Sequence, residues 1–127
     1  VLTVIAIITS FNSCTKEDPA ENFVGVYSYY LHTSSGYSKS GTYQVEKVSA
    51  NKIKIQASDE YFTDKKYTVN KKSITGESGN TMRIDSVLYN ESSSGSINKE
   101  KTITIDGSLT HSGYPTETFH SIATYLY

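Results

Sequence analysis

From residue 23 onward, apolar side chains fall on every second position in several separate runs. Ile53, Ile55 and Ala57 alternate with Lys52, Lys54 and Gln56; Tyr43 and Val45 alternate with Thr42, Gln44 and Glu46; Ile103 and Ile105 alternate with Thr102, Thr104 and Asp106. This period of two marks strands with one dry and one wet face. Met82, Ile84 and Leu88 are expected to share a face opposite Arg83 and Asp85. Turn-forming residues break the runs at Ser34-Ser35-Gly36, Ala50-Asn51, Asn70-Lys71, Gly76 to Asn80, Asn90 to Gly95 and Ser112 to Pro115. The resulting prediction is strands near 23–33, 41–49, 52–58, 61–69, 72–76, 81–90, 96–110 and 117–127. Asp106-Gly107 can form a hairpin turn, but Ile103, Ile105 and Leu109 keep phase across it and favour one bent strand. No amphipathic helix is predicted. The first strand, from Phe23, and the last, from Phe119, are apolar on both faces. They are expected to pair, which would close the meander and remove exposed edges. The fold class is therefore all-β, a single antiparallel up-and-down barrel or barrel-like sandwich of about eight strands.

The first residues follow another logic. Val1 to Ile8 are almost uniformly apolar, too few to cross a hydrocarbon core that needs about 20 residues, but suited to the apolar stretch of a secretory signal. No Lys or Arg precedes Lys16 and the chain does not open with Met, so residues 1–13 are read as an N-terminally truncated, cleaved signal peptide. Phe11-Asn12-Ser13-Cys14 resembles a lipobox, with the small Ser13 before the cysteine to be lipidated. Cys14 is the sole cysteine, so no disulfide competes for its thiol. The next residues, with Lys16, Glu17 and Asp18, resemble the surface-export signal of Bacteroidetes-type lipoproteins. This resemblance implies a bacterial outer-membrane location on the cell surface, with a periplasm-facing placement as the alternative. Acyl chains contribute ~0.8 kcal/mol per buried methylene, so the membrane is an expected partner through Cys14. Residues 14–22 are read as lipidated cysteine and polar linker, and 23–127 as one domain.

Composition narrows the partners. The formal net charge is -1 with a pI near 6.3, without the basic patch that nucleic acid requires. There are 11 Tyr and no Trp, and stability has to come from packing and sheet closure.

Phe23-Val24-Gly25-Val26-Tyr27, then Gly41-Thr42-Tyr43-Gln44-Val45 and the meander that follows, resemble the small lipocalin-like, or calycin-like, barrels of Bacteroidetes lipoproteins. The resemblance implies a non-catalytic domain that binds a small hydrophobic or glycan ligand. The Trp that often follows the first Gly in that family is missing, which argues against a deep cavity but leaves the barrel standing. The alternative function is a structural or inhibitory accessory subunit of a membrane-associated complex, with an envelope protein as partner. An interior filled by Tyr27, Ile53, Ile55, Ile103 and Ile105 would favour that alternative.

Candidate chemistry is sparse. His32, His111 and His120 are the histidines, and His32 and His120 fall in the strands expected to pair. As neighbours they could share a metal with a carboxylate, but no ligand spacing matches a known motif, so no metal or other cofactor is assigned. Gly76-Glu77-Ser78-Gly79 is one residue short of a nucleophile elbow and reads as a turn. Asp59, Glu60 and Asp64 read as a charged loop. No catalytic residue is assigned and no enzyme is expected. Aromatic rings with polar tips suit ligand contact, which makes Tyr27, Tyr29 and Tyr43, on the core side, the candidate binding residues. Tyr30, Tyr37, Tyr61, Tyr89 and Tyr114 are expected on the other face or in loops. Asp85-Ser86-Val87 resembles the acceptor of Bacteroides-type protein O-glycosylation, with Ser86 as the modified residue.

Overall fold

A computed structural model describes residues 18–57 and 63–127 of the chain. The strands are β1 (Gly25–Thr33), β2 (Ser38–Ser49), β3 (Lys52–Ala57), β4 (Lys65–Asn70), β5 (Ser73–Gly76), β6 (Thr81–Ile84), β7 (Val87–Ile97), β8 (Thr102–Thr110) and β9 (Glu117–Tyr125), preceded by a 3-10 turn at Pro19–Phe23. All pairings are antiparallel, and each strand bonds to its neighbours in sequence except at one place. There β5 pairs with β7, which closes an eight-stranded barrel and leaves β6 as an added strand whose ladder is with β7. Closure satisfies the edge groups that an open sheet would present to other chains.

β7 makes this closure possible because its two halves serve different partners. Its first residues pair with β6, from Ile84↔Val87 to Thr81↔Asn90, and its last pair with β5, from Thr75↔Ser94 to Ser73↔Ser96. The turn expected at Asn90 to Gly95 therefore does not exist. These polar residues form the middle of a continuous strand whose ladder with β8 runs from Asn90↔Thr110 to Ile97↔Ile103. The expected single strand at 81–90 is instead a hairpin with a two-residue loop at Asp85-Ser86, where Asp85 has φ 55°. That loop reverses the chain, so Leu88 lies on the exposed face while Met82 and Ile84 are buried. The turn between β7 and β8 falls later, at residues 98–101, where Asn98 Oδ1 accepts from the Glu100 and Thr102 amides and Lys101 takes φ 58°. Across Asp106-Gly107 the chain continues as one strand, β8.

The expected pairing of the first and last strands is present as β1 with β9, from Tyr27↔Tyr125 to Thr33↔Phe119. Their burial is one-sided, however. β1 alternates buried and exposed from Tyr27 to Thr33, and Tyr30 and Ile122, register partners, stand 52% and 43% exposed on the outside. A closed barrel has only one interior, so apolar residues of the second phase have nowhere to be buried.

The interior has two unlike ends. At one, Ala20 and Phe23 of the 3-10 turn are fully buried and plug the barrel. Ala20 belongs to the stretch read from sequence as linker, yet its amide donates to the Ala50 carbonyl at 3.1 Å. Tyr27, Ile53, Ile55, Ile103 and Leu109 fill much of the interior, and Tyr27 Oη donates to the Phe23 carbonyl at 2.8 Å. The other end, called open because no such plug stands there among the described residues, carries the β1–β2, β3–β4, β6–β7 and β8–β9 connections.

Candidate functional site

Towards the open end the interior turns polar. Lys65 starts β4, and its odd-numbered phase carries Tyr67 and Val69 inward with it. Glu91 lies on β7 in phase with Tyr89 and Ser93, and all three are buried. The Lys65 ammonium reaches the Glu91 carboxylate across the lumen and also donates to the Thr81 carbonyl at 2.8 Å. Glu91 Oε2 accepts from Ser93 Oγ at 2.7 Å and from Tyr67 Oη at 3.2 Å. The side chains of Lys65 and Glu91 are 7% and 0% exposed.

A buried ion pair is a weak source of stability, because removing both charges from water offsets their attraction. Burial pulls the Lys65 ammonium below the usual lysine range, against the opposing pull of Glu91. Burial, then the Glu91 charge, pushes the Tyr67 phenol well above the usual tyrosine value. Tyr29 and Tyr43 stack above this network with ring centres 5.2 Å apart and planes at 23°.

Two small adjoining cavities flank Lys65, each of about 20 Å³, room for one water. The outer one is walled by Tyr29, Leu31, Tyr37 and Met82 and edged by Lys39, Lys65 and Arg83. The inner one reaches Tyr43, Tyr67 and Glu91. Among the described residues the chamber thus has an aromatic and thioether wall, with Lys39, Lys65, Arg83 and Glu91 as its charged lining.

The residues singled out from sequence separate in space. Tyr29 and Tyr43 line the cavities. Tyr27 touches the Tyr43 ring at 5.8 Å but is fully buried in the plugged half and lines neither cavity, so it is a packing residue. Tyr89, expected outside the core, is buried, and its ring meets His111 and Tyr114 at 6.0 and 6.2 Å. Tyr37 is half-buried against the core. Ser86 is exposed on the tight β6–β7 loop. Asp18 flanks the 3-10 turn and ion-pairs with Lys47, whose ammonium also reaches Glu21 at 3.3 Å. Cys14, Lys16, Glu17, Asp59, Glu60 and Tyr61 lie outside the described residues, and Asp64 accepts from Gln56 Nε2 at 3.1 Å. Among the described residues, no three His, Cys, Asp or Glu side chains gather into a metal cage.

Lys65 and Glu91 were missed from the sequence. The signal was phase: Lys65 keeps step with Tyr67 and Val69, and Glu91 with Tyr89. The misplaced turn at Asn90 to Gly95 hid the second of these.

No protein-family model and no curated protein matches the chain. Solved structures do. EF1p2_mFAP2b bound to DFHBI is 11% identical, with a TM-score of 0.62 over 88% of this chain and 100% of its own. A redesigned β-barrel is 9% identical, with a TM-score of 0.58 over 88% of this chain and 98% of its own. At such identities the likeness speaks for the fold alone. The chain is a small closed antiparallel barrel of eight strands with one added strand, a form it shares with these structures.

Proposed function

We propose that this chain is the binding domain of a lipid-anchored envelope lipoprotein, which takes at its open end a small ligand with an apolar or glycan body and an acidic group. The observation that carries this reading is the Lys65–Glu91 pair set inside an otherwise apolar barrel. Apolar residues of similar volume in such a place are often neutral or stabilising by about 1–4 kcal/mol. Ionic groups kept there are explained by a ligand that they orient. Lys39, Lys65 and Arg83 line the chamber, and N–H donors of this kind suit an acidic group. The cavities are small, so a ligand enters by displacing the side chains of Leu31 and Met82 rather than by filling a ready space. In EF1p2_mFAP2b, a barrel of similar form, the bound molecule is DFHBI.

The tether supports the same orientation. Cys14 precedes Asp18 by four residues, a reach of about 14 Å at ~3.5 Å per residue, and Asp18 sits at the plugged end. A lipid on Cys14 holds that end toward the bilayer and presents the mouth to the aqueous side.

The packed half of the interior, with Tyr27, Ile53 and Ile103 at 0% exposure, favours a second reading, an accessory subunit of an envelope complex that works through its outer face. Native mass spectrometry of the chain from its producing cells separates the two. A bound small acid is expected for the first reading, and a stable protein partner with an empty barrel for the second. In vitro, calorimetric titration with anilinonaphthalene sulfonate, an acidic aromatic probe, is expected to weaken at least fivefold in the Lys39→Ala/Arg83→Ala double variant. Unchanged binding removes the mouth as the site. For the anchor, Cys14→Ser is expected to move the protein out of the membrane fraction, and Lys16→Ala to protect it from protease added to intact cells.

A further inference from the structure

The outer face of the β1–β9–β8 seam carries a second, unrelated arrangement. His32 and His120 are direct register partners across β1 and β9, and Asp106 is the direct partner of His120 across β9 and β8. Three side chains thus stand in one row on adjacent strands. Direct partners place their Cβ atoms about 4.5–5.5 Å apart, and the two imidazole rings have centres 5.6 Å apart.

His120 Nδ1 lies 2.5 Å from Asp106 Oδ1. An ionised carboxylate can only accept, so Nδ1 carries a proton, and in the neutral ring the lone pair is then on Nε2. A metal-binding histidine is commonly held in this way, its other nitrogen donating to a carboxylate that fixes ring and tautomer.

We propose that His32 and His120 form an open site for a borderline divalent ion of the zinc, nickel and copper class, with Asp106 as the positioning residue for His120. Imidazole nitrogens suit these ions. With a metal–nitrogen distance of ~2.0–2.1 Å, and a ring centre roughly 1 Å further on, two rings in tetrahedral array about one ion have centres on the order of 5 Å apart. The observed spacing needs only side-chain adjustment to meet that. Two imidazoles leave the remaining positions to water.

The surroundings admit a cation. The row continues into Ser38 on β2 and Ser94 on β7. The rows on either side hold Ser40, Tyr30, Ile122 and Thr104 on one flank, and Ser34, Thr118 and Ser108 on the other. None of these described neighbours is Lys or Arg, while Asp106 contributes negative charge. The side chains of His120 and Asp106 are 35% and 64% exposed, so an ion reaches them directly from solvent. The site lies on the barrel wall, independent of the interior chamber.

The test is a Zn(II) titration of the full chain followed by long-range proton–nitrogen NMR of the imidazoles. Nε2 of His32 and of His120 is expected to shift together with saturation, while His111, packed between Tyr89 and Tyr114, stays in place. This residue-level readout excludes binding at the Cys14 thiol. His32→Gln and His120→Gln are each expected to weaken the saturable phase at least tenfold, and Asp106→Asn by about 10–100-fold, all with unchanged circular dichroism. The proposal is overturned if all three histidines respond alike, if none does at millimolar zinc, or if either histidine variant binds as the parent does.

Discussion

At the scale of single residues, most of the leverage lies where charge meets burial. Replacing Lys65 alone leaves the Glu91 carboxylate in the interior without its ammonium partner, a change that destabilises by about 3–5 kcal/mol. Lys65→Met is expected to show that loss in urea unfolding, and Lys65→Met/Glu91→Leu to recover most of it. A double variant as unstable as the single one would mean that the pair itself holds the barrel together. Glu117 stands at the open rim. Ser35 Oγ donates to its carboxylate, and bonds from Thr33 and Tyr89 add to the effect, so its pKa lies below the usual glutamate value. A carboxyl lowered in the folded state contributes stability above its unfolded value of ~4.3, and that contribution disappears as pH falls through the folded value. Ser35→Ala is expected to raise the Glu117 midpoint in a carboxyl-carbon NMR titration, and an unmoved midpoint would discount the hydroxyl as the cause.

At the scale of elements, the β7–β8 ladder is the least forgiving part of the fold. A Cβ on Gly95 would stand 2.2 Å from the Thr104 carbonyl oxygen, and one on Gly107 would stand 2.4 Å from that of Ser92. Both obstacles are backbone on the partner strand, so neither can rotate away. Gly107→Ala is expected to lose about 1–3 kcal/mol, the usual range for overpacking, in denaturant unfolding, whereas Gly36→Ala in the open β1–β2 loop meets no atom within 4 Å and is limited by its φ of 94°. The same region shows how far sequence reading reached. Alternation around Ile53 and Tyr43 located β2 and β3 within three residues, because those strands have one apolar and one polar phase, whereas the strand expected at 96–110 gave the end of β8 but ran through the turn at 98–101 into β7. It misread Asn90 to Gly95 because Ser-rich and Gly-containing residues carry turn propensity, and a central strand facing a polar chamber uses the same residues.

At the scale of the whole molecule, closure and plugging act together. Phe23 is 0% exposed at the plugged end, and Phe23→Ala is expected to destabilise by about 3–5 kcal/mol, measurable as a fall in thermal midpoint. Burial also raises the phenol pKa values of Tyr27, Tyr43 and Tyr67 above the ordinary tyrosine range. For an acid raised in this way, the folded state binds the extra proton. Stability is therefore intact below the unfolded value of ~10 and is lost as pH rises through the folded one. Alkaline titration followed by phenolate absorbance is expected to ionise Tyr27, Tyr43 and Tyr67 only as the barrel unfolds.

What the amino-acid sequence determined by itself was the class of fold, most strand positions and the union of the first strand with the last, since these follow from local alternation and turn chemistry. It also raised Tyr29 and Tyr43 as lining residues through their phase. Only the tertiary structure decided that β7 divides its edge between β5 and β6, that Lys65 and Glu91 meet across the lumen, and that His32, His120 and Asp106 stand in one row. Each of these depends on register between strands far apart in the chain. A shift of one residue would exchange the inner and outer faces, and that choice is made by packing the whole barrel at once.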